Sequence, residues 1–206
     1  MTEPEWRNSS EPQAMLDFLR MTGKTSERKL RLFAVACSRR VWTLIDTLGR
    51  AAVEVAEKFA DGSAGPDELR AARLACQGAG EWASWYAAAT IPENAARNAA
   101  RSAQVGVASS PLLGAEATEL LAQANLVRDI FGNPFQQLSV DLSRRSAATV
   151  ELAQMIYDHR AIGRMYDLAD ALEKAGCNDV EILNHCRAVG QHDRGCWALD
   201  LILGKK

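Results

Sequence analysis

The sequence predicts an all-α protein, a single-domain multi-helix bundle with a C-terminal helical pair docked on the core. Three observations carry this reading. Apolar residues recur at three- and four-residue intervals through most of the chain, which is the period of a helix face and not of a strand. Most glycines and prolines fall between these stretches, where they end one helix or start the next. Hydrophobic residues at 48% and charged residues at 24% make the composition of a chain that buries a core. About eight to ten helices and no substantial sheet are expected. A length of 206 residues suits one domain, 1–206, with sub-bundles 1–108 and 114–206 joined by a loop near 107–114 as its internal division.

In chain order, residues 6–20 predict a short helix opened by Pro12 and carrying Met15, Leu16, Phe18 and Leu19, packed as a lid. Gly23 breaks it and Ser26 caps the next. Leu30, Phe33, Ala34, Cys37, Val41, Leu44 and Leu48 then form one long stripe, so 26–48 is expected to be the central packing helix. Arg28, Lys29, Arg31, Arg39 and Arg40 lie beside or opposite that stripe as a basic face, read as solvated, with Arg39 and Arg40 the candidate interaction surface.

After a break at Gly49, Ala52 to Ala60 continue as helix until the turn at 61–65, and Pro66 opens another helix over 67–89 with Trp82 and Trp85 on one side as core. The alanine-rich run 94–106 has little side-chain bulk, so its helix must pack closely on a neighbour. Residues 107–114, with Ser109, Ser110 and Pro111, read as a loop. A helix over 116–131 stops at Gly132-Asn133-Pro134, with Phe131 and Phe135 as a clamp on that turn. Leu138, Val140 and Leu142 alternate like a strand too short to build a sheet, hence an extended connector. Helices over 147–157 and 162–175 follow, the second ending at Gly176. Asn178 caps a helix over 179–188 with Glu181 in a capping-box arrangement, Gly190 ends it, and Asp193 caps the last.

The last thirty residues hold two of the three histidines and three of the five cysteines. Cys177, His185, Cys186, His192 and Cys196 supply enough thiolate and imidazole for tetrahedral zinc, although the intervals are not those of a C-x-x-C knuckle. Cys186 with His192 and Asp193 or Asp200 also spells a thiol-enzyme arrangement. No nucleophile elbow, P-loop, dinucleotide-binding fingerprint or H-E-x-x-H is present, which removes the familiar hydrolase, nucleotide and metalloprotease readings.

A net charge of −2, from 24 basic and 26 acidic residues, offers no electrostatic case for nucleic acid or an anionic membrane. The acidic start Met1-Thr2-Glu3-Pro4-Glu5 reads as no signal peptide, and no run of 18 apolar residues occurs. A cytoplasmic protein with its cysteines as buried thiols is expected.

Met15 to Arg20, Arg28 to Ala34, the Phe131-Gly132-Asn133-Pro134-Phe135 turn, His185-Cys186-Arg187 and Arg194-Gly195-Cys196-Trp197 together resemble an uncharacterised bacterial family of small helical proteins and domains. The resemblance implies no activity. Its members often carry a second cysteine where this chain has Ser38, which weakens a site built on Cys37. The expectation is therefore a non-catalytic helical interaction or regulatory module without a cofactor, acting on a protein partner. The alternative is a zinc-binding or thiol-dependent protein that uses the C-terminal cluster.

Overall fold

The structure, a computed structural model, describes residues 1–76, 82–108, 115–136, 146–188, 190 and 192–205. It is 75% helical, with twelve α-helices and no strand among the described residues. The chain divides into two compact units, Met1–Arg128 and Asp129–Lys206. The division falls within a helix, while residues 109–114 of the expected loop and the expected connector at Leu138, Val140 and Leu142 lie outside the described residues.

The first unit contains α1 (Glu3–Asn8), α2 (Pro12–Met21), α3 (Glu27–Arg40), α4 (Thr47–Ala60), α5 (Pro66–Ala75), α6 (Trp82–Ala87), α7 (Pro92–Ala108) and most of α8 (Ala115–Phe131). The expected helix over 6–20 is two helices, because Ser9 at the end of α1 is extended and Pro12 can only begin a new one. Trp6 on α1 is buried, and Arg128 donates to the carbonyls of Trp6 and Ser9. This segment is thus part of the core and not a cover over it.

The expected long helix over 26–48 is also divided. Ser26 caps α3 by accepting from the Lys29 amide, but Asp46 accepts from the Gly49 amide at 2.7 Å and starts α4 there. A 3-10 turn at Trp42–Leu44 joins the two, so the apolar stripe ends at Val41 and both Leu44 and Leu48 are exposed. α3 remains the element around which this unit packs, against α4, α6 and α7. Phe33, Ala34 and Cys37 are fully buried on it. Ala95, Ala96, Ala99, Ala100 and Ala103 are buried along α7, where the missing side-chain bulk brings the two backbones together.

The arginines of α3 are engaged inside the unit. Arg31 is buried and donates to the Ala87, Ala89 and Thr90 carbonyls at the end of α6, with burial lowering its pKa. Arg28 pairs with Asp61, Arg39 with Glu57 at 2.9 Å, and Arg40 with the buried Glu119 at 2.8 Å. Arg39 also stacks on Trp42. α5 and α6 replace the single helix expected over 67–89, and Arg73 lies over the Trp85 ring.

The second unit gathers the end of α8 with α9 (Ala147–His159), α10 (Met165–Lys174), α11 (Val180–Arg187) and α12 (Trp197–Leu203). Ala153, Ile156, Leu168, Ala169, Ile182, Cys186, Ala198, Leu199 and Ile202 form its core, so the C-terminal helical pair is docked and not free in water. α11 is capped by Asp179, whose carboxylate accepts from the Glu181 and Ile182 amides, and not by Asn178. Gly132, at φ +72°, ends α8 and lies against the Trp197 ring, while Phe135 is exposed. The Trp197 ring covers the turn at Gly132.

Candidate metal centre

Within the second unit, Asp129, His185, His192 and Cys196 bring one ligand atom each to within 4.8 Å of one another. Asp129 stands on the last turn of α8, His185 on the last turn of α11, and His192 and Cys196 on the turn that enters α12. That turn closes through the Cys196 amide donating to the Asp193 carbonyl, with Gly195 at φ +92°. A positive φ in the third position of a four-residue turn is where glycine is required. Cys196 follows His192 by four positions, and the reversal puts both side chains on the same side.

His192 Nδ1 lies 2.8 Å from Asp129 Oδ1, and His185 Nε2 lies 3.3 Å from the same oxygen. His185 Nε2 is 3.1 Å from Cys196 Sγ, and His192 Nδ1 is 3.9 Å from it. In a tetrahedral zinc site with ordinary bond lengths, neighbouring donor atoms stand about 3.3–3.6 Å apart. The four separations scatter around that value. The Asp193 amide donates to Asp129 Oδ2 at 2.9 Å and so turns Oδ1 toward the imidazoles. His192 Nε2 is buried with no hydrogen-bond partner among the described residues, which leaves the Nδ1 side to hold the ring. The His185 ring packs edge-on to His192 and 4.8 Å from Trp197.

The electrostatics are compatible with a bound cation. Asp129 is buried at the C-terminal end of a helix, where backbone carbonyls already present negative charge. Burial alone would raise its pKa, but hydrogen bonds and charge from His185 and His192 outweigh it and hold the carboxyl below its ordinary value. Burial first, and the Asp129 charge second, pushes the Cys196 thiol well above its usual value. A bound divalent ion inverts that balance, because it offsets one carboxylate and one thiolate and leaves the buried set neutral.

The same distances argue against a thiol nucleophile. In a Cys-His-acid triad the acid holds one ring nitrogen and the thiol faces the other. Here Asp129 and Cys196 converge on one nitrogen, His185 Nε2, as ligands around an ion do. Cys196 is also fully buried.

Of the cysteines and histidines singled out from the sequence, His185, His192 and Cys196 belong to this group and Cys177 and Cys186 do not. Cys186 follows His185 directly, so it turns into the apolar core, where burial and then the Cys177 and Asp129 charges push its thiol up to about 12. Cys177 is half-buried at the edge of that core. All five cysteines are free thiols. Asp193 does not cap α12 through its side chain; its carboxylate pairs with Arg160 at 2.7 Å. Asp129 was missed by sequence reasoning. Its only signal is an acid next to Ile130 and three residues after Leu126, both fully buried.

Fold and site together are those of an all-α protein in which Asp129, His185, His192 and Cys196 form a group that could hold a metal ion. The chain matches no protein-family model, no curated protein and no solved structure. Among the described residues, no helix is long and apolar enough to cross a membrane.

Proposed function

We propose that the chain is a non-catalytic helical module whose second unit is stapled by one zinc ion bound to Asp129, His185, His192 and Cys196. The convergence of four donor atoms within 4.8 Å, with His185 Nε2 facing both Cys196 Sγ and Asp129 Oδ1, carries this reading. Thiolate and imidazole in tetrahedral array favour zinc over magnesium or calcium, and four protein ligands leave no open position for a substrate water. A closed centre is structural, so the module acts through its surface on a protein partner. A cytoplasmic setting suits five free thiols.

Metal analysis of the purified chain tests the reading. One zinc per chain is expected, retained through dialysis and lost in Cys196→Ser, His192→Ala and Asp129→Asn. A chain free of zinc after expression with zinc, or one whose zinc survives all three substitutions, would overturn it. Cys177→Ser is expected to keep the ion.

A further inference from the structure

We infer that Arg160 is a positioning residue for the metal centre, an inference that rests on the zinc reading above. Arg160 closes α9 at φ 50° and ψ 35°, and among the described residues it is the only non-glycine with positive φ. A helix end in this conformation ordinarily carries glycine, because a Cβ is disfavoured there. The chain holds an arginine in that place, and its guanidinium reaches Asp193 Oδ1 at 2.7 Å.

Asp193 ties the centre together without touching the ion. Its amide donates to Asp129 Oδ2, its carbonyl accepts from the Cys196 amide, and its carboxylate, 9% exposed, accepts from the Arg194 amide and from Arg160. One residue therefore orients one ligand and closes the turn bearing two more. The Arg194 guanidinium lies 4.6 Å from the Tyr157 ring, a second anchor of the same turn on α9. Arg160 supplies the charge opposite the largely buried Asp193 carboxylate, so its loss leaves that carboxylate seeking water and loosens the turn. The ligands then stay in place but lose their preset geometry, and affinity falls.

Arg160→Gly separates this role from a merely structural one, since glycine relieves the left-handed backbone while removing the guanidinium. Zinc affinity, read by competition with a chromophoric chelator, is expected to drop about 10–100-fold. The thermal midpoint of the metal-free protein is expected to fall only slightly, because relief of the left-handed backbone offsets part of the lost ion pair. The ligand-field absorption of the cobalt(II)-substituted protein should broaden. Asp193→Asn, which keeps both backbone groups and weakens the same ion pair, should lower zinc affinity on its own and add little to Arg160→Gly in the double variant. This second substitution decides the matter where Arg160→Gly does not fold. If the native chain takes up no zinc, the metal reading itself fails. If the native chain binds zinc and either folded single variant binds it as tightly, the positioning role is overturned and the centre stands. A loss of metal-free stability that matches the loss of affinity would also overturn it.

Discussion

At Gly132 the backbone sits at φ +72°, and a Cβ there would come 3.2 Å from Trp197 Cγ. Gly132→Ala meets strain and a close contact at once, and is expected to cost on the order of 1–3 kcal/mol in chemical denaturation. Trp197→Ala, which also removes the ring beside His185, is expected to cost about 3–5 kcal/mol. Native-like stability in both variants would remove Trp197 from the wall of the centre. The buried thiol of Cys186 titrates with a definite sign. Its folded pKa of about 12 lies above the ordinary 9.0, so the unfolded chain loses this proton first as pH rises. The stability it contributes is whole below the ordinary value and lost as pH climbs toward the folded one. The stability gap between the metal-free native chain and Cys186→Ala should therefore narrow between those limits, and a constant gap would place the thiol in water.

The cap at Asp46 decides that α3 and α4 are two elements. Asp46→Ala is expected to cost about 0.5–2 kcal/mol, measured by denaturant midpoint, because the Gly49 amide loses its acceptor. Within α3, Phe33→Ala is expected to cost about 3–5 kcal/mol from full burial. Arg39→Ala leaves the buried Glu57 carboxylate without its 2.9 Å partner, for which about 1–3 kcal/mol is expected. Equal small losses at Phe33 and Arg39 would remove α3 from the centre of its unit. The seven-residue stripe from Leu30 to Leu48 looked continuous because periodicity marks faces and not ends. A side-chain cap at Asp46 interrupts it without disturbing the period, and Leu44 and Leu48 fall outside the core as a result.

Truncation after Gly190 removes His192, Cys196 and α12 in one step. The second unit then loses Ala198, Leu199 and Ile202 from its core along with half of the proposed metal ligands, and the shortened chain is expected to bind no zinc and to aggregate. A monomeric, folded product that still carries zinc would show that the centre lies elsewhere. The all-helical class was readable from the amino acids because helix periodicity, proline starts and the glycines at 132, 176 and 204 are local signals acting within a few residues. The C-terminal concentration of histidine and cysteine was readable as chemistry too. Local signals do not reach further: Cys186 and Cys196 look alike in sequence, and only the face each presents puts one in the apolar core and the other among the candidate ligands. Asp129 lies 63 residues before His192. No spacing rule joins them, and they meet because α8 ends where the turn into α12 begins, so the fourth candidate ligand is a product of packing over distance.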